Sequence, residues 1–286
     1  RNKDVLHRYA SNRLRVVPQL RYHPSKEYAI DLGLFINGLP VGTVEIKTDF
    51  TQSAEAAKEQ YKQDRLPIDP QTKRTEPLLT FKRGAVVHFA MSDSVIWMTT
   101  KLAGKGTFFL PFNQGDDGHA GNPLNPDGGS STAYLWERIL QRDTWLEILQ
   151  KFVFLKKETV EDEYGRSRRK PTLIFPRFHQ WEAVTQMLAA VREEGAGASY
   201  LIEHSAGSGK TNTIAWTAHR LLSTYGVDEQ RVFDSVIVVT DRTVLDDQLQ
   251  EAVRQIERTS GTVVAVDRKN LGGEATSKSA LVKQTL

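Results

Sequence analysis

Between residues 199 and 222 the chain reads as a short β-prone run, then His204-Ser205-Ala206-Gly207-Ser208-Gly209-Lys210-Thr211, then a helix-forming stretch from Lys210 to Leu222. This order constrains the fold more than any other feature of the sequence. A loop of small residues between strand and helix lets consecutive backbone N–H groups converge at a helix N-terminus, where anions are already favoured. The strand must then lie in a sheet with the helix on its face. The neighbouring pattern agrees: helices are expected over 178–193 and 243–257, and strands over 235–240 and 262–266. Strands alternating with helices predict a parallel sheet covered on both faces.

The loop keeps the ending of the G-x-x-x-x-G-K-[ST] pattern and departs at its first position, where His204 replaces glycine. Gly207, Ser208 and Gly209 would cradle phosphates with their backbone amides. Lys210 would reach the β- and γ-phosphates of ATP, and the Thr211 hydroxyl would ligate Mg²⁺. An acidic pair able to orient that Mg²⁺ does not follow any later strand. The chain begins at Arg1 rather than Met and ends in a helix-like stretch at Leu286, so it is expected to be a piece of a longer protein.

The first half has a different texture. Residues 28–36 and 41–47 are expected to be strands around Asn37-Gly38-Leu39-Pro40, because Asn-Gly tolerates the positive φ of a tight hairpin. Residues 53–65 are expected to be a helix capped by Ser53, and two further strands are expected near 85–91 and 94–100. Residues 113–132 are rich in Gly, Asn, Asp and Pro and should be loop, and a helix should span about 134–154. The charged segment 156–171 is expected to be a solvated linker, with the first domain covering 1–168 and the second 169–286.

Asp31 and Glu45-Ile46-Lys47 form the second constellation. Glu45 and Lys47 lie two apart on a strand and share a face, which leaves Ile46 to point toward the core. The hairpin can bring Asp31 beside them. Two carboxylates at one point suit a hard cation such as Mg²⁺, which activates water and neutralises phosphate charge. Lys47 could orient the water or stabilise developing negative charge. By spacing alone, the same residues also describe the charged surface of an ordinary hairpin.

Composition narrows the setting. The 286 residues suffice for two domains, and a net charge of +3 permits nucleic acid without demanding it. With no cysteine there are no disulfides and no thiolate zinc site, which fits a reducing cytoplasm. No apolar run is long enough to cross a bilayer and no signal-peptide pattern is present, so no membrane is expected.

Phe178-His179-Gln180 before the loop and Val239-Thr240-Asp241-Arg242 after the next expected strand resemble superfamily 2 helicases. That resemblance implies that Gln180 contacts adenine and that Thr240 and Arg242 touch the nucleic-acid backbone. A more specific likeness runs along nearly the whole chain. Leu34-Phe35-Ile36-Asn37-Gly38-Leu39-Pro40 with Glu45-Ile46-Lys47, Phe109-Leu110-Pro111-Phe112-Asn113, Gly121-Asn122-Pro123, Tyr134-Leu135-Trp136-Glu137 and Ile174-Phe175-Pro176-Arg177-Phe178-His179-Gln180 resemble the R (motor-nuclease) subunit of type I restriction-modification enzymes.

The resemblance implies an α/β chain: a PD-(D/E)xK endonuclease-like mixed sheet flanked by helices, then a partial RecA-like helicase lobe. Asp31, Glu45 and Lys47 become the nuclease residues, and Gln60 matches the glutamine of a further motif written Q-x-x-x-Y. The motif's tyrosine position is Asp64 here, and Tyr61 points elsewhere on the helix. The implied activity is ATP-driven translocation of double-stranded DNA coupled to Mg²⁺-dependent cutting, with methylation and specificity subunits as partners. Two other readings stay open: a free-standing repair helicase-nuclease, and a non-catalytic DNA clamp.

Overall fold

A computed structural model describes residues 2–256, apart from 51, 162–163, 227–228 and 241–242; of 243–246 only the backbone is described. The expected strand at 262–266 and the candidate Arg242 lie outside the described residues. The fold is mixed α/β and divides into two compact units, 1–153 with 173–179, and 154–172 with 180–286.

The first unit is built on a six-stranded sheet in sequential order: β1 (Leu14–Arg21), β2 (Ala29–Ile36), β3 (Leu39–Ile46), β4 (Val87–Met91), β5 (Ile96–Thr99) and β6 (Leu110–Pro111). Helix α1 (Lys3–Ala10) precedes it. Every neighbouring pair is antiparallel except β3 and β4, which are parallel. The hairpin closes as expected, with Ile36 opposite Leu39 and positive φ at both Asn37 (52°) and Gly38 (83°). Leu39 and Pro40 belong to β3 rather than to the turn.

Parallel neighbours cannot be joined by a tight turn, so the chain must cross a face of the sheet between β3 and β4. Helix α2 (Ala54–Gln63) lies on that crossover. Ala54, Ala57 and Tyr61, spaced to share one helix face, are buried, and Ala57 and Tyr61 belong to a core cluster with Ile30, Leu79, Ala90, Leu102 and Phe109. Ser53 precedes the helix in extended conformation but its side chain makes no capping bond. Another aromatic core joins Phe89, Phe112, Phe175, Phe178, Tyr134 and Trp145.

The helix expected over 134–154 is broken. A wide turn at Leu135–Ile139, helix α3 (Arg142–Glu147) and a second wide turn at Ile148–Phe152 replace it. The break falls at extended Gln141, where the Arg142 guanidinium donates to the carbonyls of Tyr9 and Ala10 at the end of α1. Residues 113–132 contain no helix or strand, as expected.

In the second unit the supposed linker is a hairpin, β7 (Phe154–Glu161) and β8 (Ser167–Ile174). Its apolar root explains the difference: Phe154 packs edge-on against the buried Trp216. Helices α4 (Phe178–Glu194), α5 (Lys210–Leu221) and α6 (Thr243–Ile256) stand where the periodicity put them. The segments 199–203 and 235–240 are not ladder-paired among the described residues. Leu201 is 94% and Val239 85% exposed, whereas a parallel strand is stable only when neighbours satisfy its backbone and cover both faces.

Candidate functional site

Glu45 is the second-last residue of the central strand β3, beside Ala90 of β4, and is wholly buried, 0% exposed, whereas the last residue, Ile46, is 39% exposed. The expectation that Ile46 points to the core is therefore corrected. Helix α2 packs over β3 and β4, while the last residue of β3 turns its other side to solvent.

Asp31 meets Glu45 through the sheet register. Leu32 pairs with Val44, and one step further the Asp31 carboxylate replaces the backbone ladder, its Oδ2 accepting the Ile46 N–H at 2.8 Å. Its Oδ1 accepts from Gln19 Nε2 at 3.2 Å. Glu45 Oε1 accepts from Arg65 Nε at 2.6 Å, while Oε2 is buried with no partner. Burial pushes the Glu45 carboxyl up to about 7; Arg65 pulls it back, and Asp31 adds to the rise. Arg65 is itself buried, just beyond α2.

Gln60 on α2 is half-buried, and its Oε1 is a second buried oxygen without a partner. Tyr61 turns instead into the core. Its hydroxyl meets Thr43 Oγ1 at 2.8 Å, and Thr43 Oγ1 meets His88 Nδ1 at 2.7 Å. Lys47 hydrogen-bonds through its backbone N–H to Met91 O at 2.9 Å and is half-buried. Its ammonium makes no ion pair among the described residues. Sequence reasoning missed Arg65 and Gln19. Neither belongs to a motif, and both are brought in by pairing across elements.

The donor set is hard: two carboxylates at adjoining strand ends, one with an orphaned oxygen. It fits an oxygen-loving divalent cation. A second acid-and-histidine group, His23, Asp69 and Glu76, does not. His23 Nδ1 accepts the Ser25 and Lys26 N–H groups, which assigns the proton of a neutral ring to Nε2, 3.4 Å from Glu76. Lys26 and the N–H groups of Gln71 and Thr72 take Asp69. That cluster ties a loop together.

In the second unit, the glycine-rich loop enters α5 through Gly209, in left-handed conformation at φ 84°. Lys210 Nζ folds back onto the His204 and Ser205 carbonyls at 2.6 and 2.9 Å. Thr211 lies in the first turn of α5, half-buried. Gln180, 4% exposed, donates its amide protons to the Ser208 and Gly209 carbonyls at 3.1 and 3.0 Å. It is thus a clamp on the loop. Thr240 sits half-buried at the end of the 235–240 segment.

Residues 6–107 match the family model described as the type I restriction enzyme R protein N terminus, and residues 179–286 match that of the SWI2/SNF2 ATPase. The chain is 24% identical over 252 residues to the type I restriction enzyme HindI endonuclease subunit of Haemophilus influenzae, covering 84% of this chain and 21% of that protein. It is 23% identical over 239 residues to the putative type I restriction enzyme MjaVIIIP endonuclease subunit of Methanocaldococcus jannaschii, covering 82% of this chain and 20% of that protein. The chain thus spans about a fifth of the length of these relatives. No helix among the described residues is long and apolar enough to cross a membrane.

Proposed function

We propose that this chain, which carries a type I restriction enzyme R-protein N-terminal segment followed by a SWI2/SNF2 ATPase segment, belongs to the motor-nuclease subunit of a type I restriction enzyme. The observation that carries this is the convergence of Asp31 and Glu45, one with a buried unpartnered oxygen, on a chain that also holds a phosphate loop. The nuclease part would be the first unit, 1–153 with 173–179, and the motor part would be the second, rather than the expected division at 168 and 169. In the cytoplasm the motor would draw double-stranded DNA past the complex at the cost of ATP, and the nuclease would cut it. Methylation and specificity subunits would supply recognition.

Asp31 and Glu45 would hold Mg²⁺, with Gln60 offering an amide oxygen. Bound there, the cation would lower the pKa of a water and neutralise charge on the scissile phosphate. The chain's own residues prepare this. Ile46 N–H and Gln19 fix Asp31, and Arg65 fixes one oxygen of Glu45 so that the other is presented. Lys47, two residues along, brings a positive charge to meet the developing negative one. In the loop, Lys210 would exchange two carbonyls for the β- and γ-phosphates, and Thr211 would ligate the nucleotide's Mg²⁺. The acceptor half of the Gln180 amide would meet an adenine amino group. Thr240 and Arg242 would touch the DNA backbone.

The test uses the full-length protein with its partner subunits. Asp31→Ala or Lys47→Ala should abolish cleavage and spare DNA-stimulated ATPase. Lys210→Ala should abolish both translocation and cleavage of intact duplex. Loss of ATPase in Asp31→Ala, or normal cleavage by Lys210→Ala, would contradict the reading.

One observation favours a second reading, a non-catalytic DNA clamp: the Arg65–Glu45 bond commits a ligand oxygen to a guanidinium. Calorimetric titration separates the two. Mg²⁺ or Mn²⁺ binding that disappears in Glu45→Ala supports the nuclease, whereas no metal binding even with DNA present supports the clamp.

A further inference from the structure

Strand β1 holds an irregularity directly opposite Asp31. Pro18 pairs with Leu32 and Leu20 with Ile30, so Gln19 falls across from Asp31, where no Cα pair forms. There Gln19 takes φ +46°, in the left-handed region that residues bearing a Cβ avoid. It is exposed, so core packing does not impose this conformation. Its side-chain amide reaches Asp31 Oδ1 at 3.2 Å.

We propose that Gln19 is a positioning residue that aims Asp31 at the metal. The inference rests on the reading of Asp31 and Glu45 as a metal-holding pair. Because β2 lies between β1 and β3, Asp31 is gripped from both neighbouring strands, by Gln19 on one and by the Ile46 N–H on the other. Irregular residues inside a strand re-aim side chains beside active sites, and local strain persists where function requires it. The chemistry of the residue fits the role. A neutral amide donor fixes the carboxylate while leaving its charge for a cation.

The test compares Gln19→Gly, Asp31→Asn and the double variant in the full-length protein. Mn²⁺ and Mg²⁺ affinity is read by calorimetry, and the thermal midpoint is read in chelator. Glycine adopts φ +46° without strain, so Gln19→Gly should keep or raise the midpoint. Its metal affinity should nevertheless fall by about tenfold, the usual scale for losing a ligand's supporting partner. In the Asp31→Asn background, Gln19→Gly should cause no further loss, because it acts through Asp31. A lowered midpoint with unchanged affinity, or a loss that adds fully to that of Asp31→Asn, overturns the proposal. If Gln19→Gly binds metal normally while Asp31→Asn does not, this inference fails and the metal-site reading stands. If Asp31→Asn binds metal like the parent, both fall.

Discussion

A buried carboxylate with one committed oxygen and one orphan is a liability for folding, and Glu45 is such a group. Its pKa is raised from 4.5 to about 7, so the folded state holds a proton that the unfolded chain has released. Glu45's contribution to stability is therefore fullest below pH 4.5 and is lost as pH rises through about 7, an effect of roughly 3 kcal/mol. In chelator, Glu45→Gln should stabilise the first unit at pH 8 and change little at pH 4; urea titrations at the two pH values check this. Arg65→Met should act oppositely, costing about 3 kcal/mol at pH 8 by stranding a buried charge, and less where Glu45 is protonated. His88 has the reverse sign. Burial pushes its pKa down to about 3, so its contribution is full above about 6.5 and falls as the solution is acidified. Sequence identified Glu45 by its spacing of two residues from Lys47. It could not identify Arg65, whose meaning depends on a contact across twenty residues of chain.

At the scale of elements, the crossover β3–α2–β4 both builds the site and sets its burial. Tyr61, Thr43 and His88 form a hydrogen-bonded seam between helix and sheet, with Glu45 further along β3. The hairpin and α2 were legible because Asn-Gly and the helical period are local signals. Strand β1 was not, since Pro18 and the lack of a buried, alternating face obscure a strand that exists by pairing with β2. In the glycine-rich loop, Gly207 and Gly209 both have positive φ, but only at Gly209 would a Cβ collide, 2.5 Å from Gln180 Nε2. Gly207→Ala should therefore weaken nucleotide binding only through backbone strain, and Gly209→Ala more severely by displacing the Gln180 clamp. Titration with a fluorescent ATP analogue would show this; equal effects would count against the clamp.

At the scale of the molecule, the two constellations lie in different units, which the chain enters and leaves at 153–154, 172–173 and 179–180. Lys210→Ala should accordingly leave metal affinity at the Asp31–Glu45 site unchanged, and Asp31→Asn should leave nucleotide affinity unchanged; paired calorimetric titrations decide both. The sequence by itself determined what is coded locally: the tight turn at Asn37-Gly38, helices α2, α4, α5 and α6, the small-residue loop, and the residue types able to hold phosphate or a hard cation. The tertiary structure alone decided which oxygens are committed and which are left over. It replaced a charged linker with a hairpin, turned Ile46 outward, and set Gln19 and Arg65 against the two carboxylates. Local signals depend on neighbours in sequence, whereas burial and hydrogen-bond partnership depend on neighbours in space, and strand pairing and helix crossover bring those together from distant parts of the chain.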